Sequence, residues 1–296
     1  MLLYYHKDPL GNFGDDLNPW LWRRIFPSIF TGEVFHDPAL RQTMPHGKTL
    51  FVGIGTLLNS NVPTSAKKIV FGSGTGYGSA PQLDRSWEIA FVRGPLTAKK
   101  LGLDASKAII DPAILAIDHF PRADHKDKRA AYMPHCSSAR QADWKAICDA
   151  ADLRYIDPHW PVEKVLAALQ EAPMLFTEAL HGAILAEAFR TPWTPIRATP
   201  ALLDLKWLDW CASIRRAYAP HTLPMIWTGG GSVFSSLKRH IKQKQAIREL
   251  ARLRKHNDAR LSPENVLNEA RERLEEQIER LRKRTANVEM CAVVER

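Results

Sequence analysis

Apolar and polar positions along this chain fall into short blocks. Mostly apolar runs at Leu2 to Tyr5, Thr49 to Ile54, Lys68 to Phe71, Glu88 to Val92, Ala130 to Met133, Leu153 to Ile156, Met174 to Thr177 and Thr194 to Ile196 each give way to a turn and then to helical spacing. Strands alternating with helices predict an α/β fold with parallel sheets. The charged stretch His119 to Arg129, HFPRADHKDKR, reads as a linker between two such sheets. Two Rossmann-like domains are therefore expected, over residues 1–120 and 121–236. Two helix starts are well marked: Gly94-Pro95 places proline early in a helix that Gly102 stops, and His181-Gly182 opens Ala183 to Phe189 before Pro192. Each follows an apolar strand directly, so Arg93 and His181 fall at carboxyl ends of strands, where open α/β sheets bind ligands.

From Leu237 to Arg284 the strand signal is gone, and Ser262-Pro263 divides the stretch into two helical segments. Leu267, Ala270, Leu274, Ile278 and Leu281 make an amphipathic stripe on the second. The charge gathers here too. Of a formal net charge of +9, Lys238 to Arg284 carries +7 and the body before it +3, the last residues lowering the total by one. A basic helical tail over residues 237–296 on a nearly neutral body is the expectation. A nucleic-acid partner is not expected, because the body holds no recognisable motif for one. The tail's stripe can pack on its own domain or on a partner helix, which keeps a homo-oligomer open. It can also attach the chain to an anionic inner membrane leaflet, with Lys238, Arg239, Lys242 and Lys244 adding attraction.

A length of 296 residues with 45% hydrophobic composition suits two domains of ordinary size. Cys136, Cys148, Cys211 and Cys291 lie far apart without a CxxC pair, which suggests neither a zinc site nor a disulfide framework. The start MLLYYHKDPLGNFGDD is too short in apolar residues for a signal peptide, and no run approaches a membrane span. The expected location is cytoplasmic, with peripheral attachment at the inner membrane as the tail's contribution.

Candidate chemistry sits in the turns. Gly11 to Asn18, GNFGDDLN, precedes a helix expected near Pro19, and its Asn12, Asp15 and Asn18 can serve either an anion at a helix start or plain turn capping. Gly53-Ile54-Gly55 and Gly72 to Gly76 let backbone approach a ligand, Gly55 and Gly74 being the candidates, but they are no dinucleotide fingerprint. Arg93, beside a helix N-terminus, can clamp a carboxylate or phosphate through two parallel hydrogen bonds. His181 lies between strand and helix N-terminus, whose positive end lowers its pKa, and this suits proton transfer; Glu178 precedes it and His135 ends another strand. Trp207, with Trp160, Trp193 and Trp210, supplies faces for sugar stacking or, as such spacing more often means, core. No metal-ligand cluster is visible, so no metal and no cofactor are expected.

Taken together, GNFGDDLN, LFVGIGTLL from Leu50, IVFGSG from Ile69, FVRGPLTA from Phe91, DPAIL from Asp111, YMPH from Tyr132, TEALHGAILAEAFRTPW from Thr177 and KWLDW from Lys206 resemble, in order, the motifs of the polysaccharide pyruvyl transferase family. The resemblance is closest to the branch that forms ketals on succinoglycan-like and xanthan-like exopolysaccharides, and it covers roughly the first 230 residues. It implies a two-domain fold similar to GT-B glycosyltransferases, phosphoenolpyruvate as donor substrate between the domains, and a lipid-linked oligosaccharide as acceptor. The family's VR arginine falls on Arg93 and its LHG histidine on His181, which are the catalytic candidates. Many members carry an arginine two positions before that histidine, where this chain has Ala179. Arg190, Arg197 and Lys206 are the candidates to replace it. The rival readings are a GT-B-type glycosyltransferase using a sugar nucleotide and, from another class, a non-catalytic nucleic-acid-binding or scaffold protein.

Overall fold

The computed structural model describes residues 1–296 except 42–46, 124, 200–202, 227–232, 257–258 and 295–296. Ten strands are described: β1 (Leu2–Tyr5), β2 (Gly32–Phe35), β3 (Thr49–Val52), β4 (Lys67–Phe71), β5 (Trp87–Phe91), β6 (Ala131–Met133), β7 (Arg154–Tyr155), β8 (Leu175–Thr177), β9 (Trp193–Arg197) and β10 (His221–Thr222). They form two five-stranded sheets, in the orders β2-β1-β3-β4-β5 and β10-β9-β8-β6-β7. Every pairing is parallel. Leu50, Phe51 and Val52 are fully buried, as are Tyr132 and Phe176, which is how strands read when helices cover both faces. The α/β expectation with two Rossmann-like sheets holds. The sequence pattern missed β2 and β10: β2 is an edge strand whose residues alternate between half-buried and exposed, and β10 is two residues long.

The helices are α1 (Phe13–Ile25), α2 (Pro95–Lys100), α3 (Cys136–Ala139), α4 (Trp144–Ala150), α5 (Val162–Glu171), α6 (Leu180–Ala188), α7 (Asp204–Ser213), α8 (Val233–Lys255) and α9 (Glu264–Val294). Helix α1 starts at Phe13, earlier than Pro19 had suggested. Asn12 caps it by accepting from the Gly14 N–H at 3.1 Å. Pro19 sits inside the helix, where it cannot donate to the Asp15 carbonyl. The Asn18 side chain donates to that carbonyl instead, at 3.2 Å, so the helix continues through the proline.

The first sheet packs on α1 through a cluster of rings: Trp22 meets Phe51 at 4.9 Å and Phe71 meets Phe91 at 4.8 Å between centroids. In the second half, Trp193, Trp207 and Trp210 bury one another, with Tyr218 stacked on Trp207 at 5.3 Å.

Ser262 and Pro263 do part α8 from α9, yet the tail is no loose appendage. Leu267, Ala270, Leu274, Ile278 and Leu281 are all buried, in the same continuous core cluster as Ile25 and Leu115. Arg271 pairs with Asp118 at 2.8 Å, Arg273 donates to the carbonyls of Ser106 and Ala108 at 2.7 and 3.0 Å, Arg282 donates to the Ile25 carbonyl at 3.2 Å, and Arg284 pairs with Glu88. The stripe therefore closes the chain's own core and is not available to a bilayer.

In each sheet the chain reverses its direction of travel once, between β1 and β3 in the first and between β6 and β8 in the second. Loops leave to opposite sides at such a point, and a crevice opens at the carboxyl ends of the strands.

Candidate active site

A cavity of about 440 Å³ occupies those two crevices. Its walls come from the ends of β1 (Asp8, Asn12, Asp15), β3 (Gly55, Thr56, Asn59), β4 (Tyr77) and β5 (Arg93), and across from them β6 (His135, Cys136), β8 (Ala179, His181) and β9 (Lys206). Seven sequence candidates meet here: Arg93, His181, Asn12, Asp15, Gly55, His135 and Lys206. The other five lie elsewhere, each for a visible reason.

The Asn18 amide is used up on Ile54, whose N–H it accepts at 2.9 Å and whose carbonyl it donates to at 3.0 Å. Gly74 is bare for the sake of a side chain: a Cβ there would stand 2.3 Å from the Arg93 guanidinium carbon. Glu178 is buried behind the wall, accepting from Tyr132 and, at 2.7 Å, from Ser138. Burial pushes its pKa up to about 7. Arg190 pairs with Glu187 at 2.9 Å and donates to the Ser262 carbonyl at 2.9 Å. Trp207 is in the core with its neighbours, so its face meets rings of the protein and no sugar.

Arg93 enters from the end of β5 and is 1% exposed. Its Nε donates to Asp209 at 3.2 Å, one terminal nitrogen to the Thr56 hydroxyl at 2.9 Å and the other to the Thr75 carbonyl at 3.2 Å. A guanidinium has five N–H groups, so one hydrogen on each terminal nitrogen is left for a ligand. Asp209, on α7, also accepts from the backbone N–H and the hydroxyl of Thr97 at 2.9 and 2.7 Å. One carboxylate from the second half thus fixes the key arginine and caps α2 in the first. Sequence reasoning missed Asp209 and Thr97, though both stood inside KWLDW and FVRGPLTA.

His181 lies in the first turn of α6, its Nδ1 over Gly14, where a Cβ would approach to 2.3 Å. Its Nε2 faces Asp111 Oδ2 at 3.8 Å, too far for a hydrogen bond, and both atoms are buried without a partner. Burial first, then the charges of Lys206 and Arg93, bring His181 down to about 3. The main cause is thus desolvation, and the first turn of α6, where the sequence placed His181, acts in the same direction. Burial lifts Asp111 to about 6, with Arg93 pulling the other way. Asp111 was also passed over, although it opens DPAIL.

His135 accepts the Ser137 N–H on Nδ1 at 3.3 Å, and burial followed by Lys206 lowers it to about 3 as well. Burial raises Asp15 to about 7 while the Asn12 amide, donating at 2.7 Å, holds it down. Lys206, in the first turn of α7 and 9% exposed, is brought down to about 8 by burial and by Arg93. Among the described residues no hydrogen bond or ion pair holds its ammonium. Arg197, the third candidate cation, is paired with Asp204. The described residues gather no group of three His, Cys, Asp or Glu as for a metal ion. Nor is any described helix long and apolar enough to cross a membrane.

Around Arg93 the free cavity therefore offers the neutral imidazoles of His181 and His135, the Asp15 carboxyl raised toward neutral pH, an ammonium without a partner among the described residues and two spare guanidinium hydrogens, while His6, Asp8 and His36 line it further out. That set suits a small, strongly anionic ligand and a proton transfer beside it.

A family profile described as polysaccharide pyruvyl transferase matches residues 12–198. The chain is also similar to a succinoglycan biosynthesis protein, ExoV, of Rhizobium meliloti (strain 1021). The two are 39% identical over 227 residues, which is 75% of this chain and 67% of that protein.

Proposed function

The chain belongs to the polysaccharide pyruvyl transferase family, and we propose that it moves the enolpyruvyl unit of phosphoenolpyruvate onto a sugar of an exopolysaccharide repeat unit as a ketal, releasing phosphate. The observation that carries this is the convergence of Lys206, Arg93 and His181 on one cavity at the carboxyl ends of both sheets. Lys206, free of any described partner, supplies the cation that Ala179 cannot. Arg190 and Arg197 are both engaged elsewhere.

In this reading the donor's phosphate and carboxylate lie between Lys206 and the spare hydrogens of Arg93. A proton adds to the terminal alkene carbon of the donor, giving oxocarbenium character at the carbon that bears phosphate. One sugar hydroxyl adds there, the bond to phosphate oxygen breaks, and a second hydroxyl of the same sugar closes the ketal. The two hydroxyl protons balance the one taken by carbon and the one leaving with phosphate. His181 is the proposed proton donor, and the anionic substrate is what charges it, because it offsets the repulsion from Lys206 and Arg93. Asp15 is the second reading for the donor, favoured by its pKa near 7. Fixed cations at the departing phosphate are worth powers of ten in rate. The step requires neither a metal nor a cofactor.

The succinoglycan relative supports a polysaccharide precursor as acceptor, and a lipid-linked oligosaccharide on the cytoplasmic face is the proposed form. The test supplies purified protein with phosphoenolpyruvate and lipid-linked oligosaccharides. Inorganic phosphate and an acid-labile pyruvate ketal are expected in equal amounts. Release of a nucleoside diphosphate from a sugar nucleotide, with phosphoenolpyruvate inert, would transfer the case to the glycosyltransferase reading.

A further inference from the structure

Helix α8 changes sides along its length. Ala246, Leu250 and Leu253 are buried with Trp144, Ile147, Leu223 and Ile226 in the core of the second half. Leu237 and Ile241 stand nine positions before Ala246 and Leu250, which at about 100° per residue places them on the opposite side of the helix. They are 55% and 47% exposed. A single exposed leucine calls for no explanation. Here two large aliphatic side chains lie one helical turn apart in a stretch of one charge sign.

Between residues 233 and 248 there is no Asp or Glu, while Lys238, Arg239, Lys242, Lys244 and Arg248 are all present. Lys244 and Arg248 continue the line of Leu237 and Ile241 at helical spacing, and both are exposed. Helix α9 is the contrast: its arginines are interleaved with glutamates and its stripe is spent on the core. An uninterrupted basic surface carrying a shallow aliphatic ridge matches an interface of acidic headgroups over acyl chains, where the cations meet charge and the ridge enters the boundary.

We infer that residues 237–248 of α8 form a docking face for an anionic lipid bilayer, with Leu237 and Ile241 as the inserted ridge and Lys244 and Arg248 among its headgroup contacts. This stands on the surface alone, and it would persist if the reaction proposed above were another.

The test is sedimentation of the full-length protein with phosphatidylcholine vesicles, with and without phosphatidylglycerol, at low and high salt and without substrate. Binding is expected only with phosphatidylglycerol, and weaker as salt rises. Leu237→Ser with Ile241→Ser should weaken it about tenfold, a fraction of the value of two fully buried aliphatic side chains. Lys244→Glu with Arg248→Glu should weaken it about 25-fold or more, each cation near such a surface being worth about 1 kcal/mol, roughly fivefold. All four positions face water, so matched circular dichroism and melting are expected. Indifference to phosphatidylglycerol, or unchanged binding in both double variants, overturns the inference. So does a dimer that becomes monomeric in Leu237→Ser/Ile241→Ser while wild type ignores vesicles, since the ridge would then serve a second copy. Tight binding of duplex nucleic acid with vesicles ignored overturns it equally.

Discussion

Binding of phosphoenolpyruvate should be coupled to uptake of a proton by His181. In the free protein this imidazole sits about three and a half pH units below its ordinary 6.5, at about 3, so it is neutral at any pH where the enzyme works. At about 1.4 kcal/mol per pH unit the difference is about 5 kcal/mol. A unit negative charge at about 4 Å contributes about 4 kcal/mol at an effective dielectric constant of about 20. A ligand with two or more negative charges between Lys206 and Arg93 is therefore enough to bring His181 back to the neutral range. The sign follows: the liganded state binds more protons than the free state, so affinity should be greatest below the liganded pKa and fall as pH rises through it. Calorimetry in buffers of different ionisation enthalpy reads the proton count directly. Wild type should take up on the order of half to one proton more than His181→Ala near neutral pH, which follows from the same electrostatic arithmetic. The ligand's own phosphate proton is common to both and cancels. Equal uptake in the two proteins would refute the role, and if the uptake disappeared in Asp15→Asn instead, the proton donor would be Asp15.

Three further outcomes are expected. Asp209→Ala leaves the buried Arg93 guanidinium without the carboxylate it is bonded to and should cost about 3 to 5 kcal/mol of stability, read as a lower urea midpoint at unchanged slope. Lys206→Met removes one charge-assisted contact, worth about 1.5 to 3 kcal/mol, and should raise the KM for phosphoenolpyruvate by roughly one to two powers of ten with the melting temperature held or raised. Trp207→Ala should cost about 3 to 5 kcal/mol in stability while leaving the acceptor KM of the folded protein unchanged, and a changed KM at equal stability would restore the sugar-stacking role.

Most strands that were legible in the sequence are buried on both faces, because a continuous apolar run is the signature of such burial; the half-buried edge strands β5 and β7 were betrayed by the buried Phe91 and Val92 and by Leu153 and Ile156 at their ends. Edge strand β2, half wet and alternating, carries no such run, and β10 is shorter than any period. The site was legible where chain direction alone determines it: Arg93, His135 and His181 lie within four residues of a strand's carboxyl end, and Asn12 caps the helix that follows β1. What could not be read was how the two halves face each other. Asp209 and Asp111 look like ordinary carboxylates in the sequence, and only the fold places one against Arg93 and the other opposite the Nε2 of His181. The same blindness worked in reverse for Glu178, beside the LHG motif, and Arg190, just past the far end of the same helix, whose partners hold them away from the cavity. The stripe of Leu267 to Leu281 showed that a helix would bury one face, but not that the face would be claimed by residues as early in the chain as Ile25.

That closure by the last helix has a consequence for synthesis. Ile25, Leu115, Asp118 and the carbonyls of Ser106 and Ala108 all lie within the first 118 residues, while the side chains that cover or bond them run from Leu267 to Arg282. At ribosomal speeds of about 5 to 20 residues per second, the first half waits roughly 10 to 30 seconds after emerging before its cover is even made. During that interval the strip of apolar surface that α9 covers in the finished fold faces solvent. A stalled or prematurely terminated message would release a first sheet that is fully paired yet sticky, so truncated products of this chain should be chaperone clients or aggregates, and α9 decides late whether a nascent molecule becomes soluble protein.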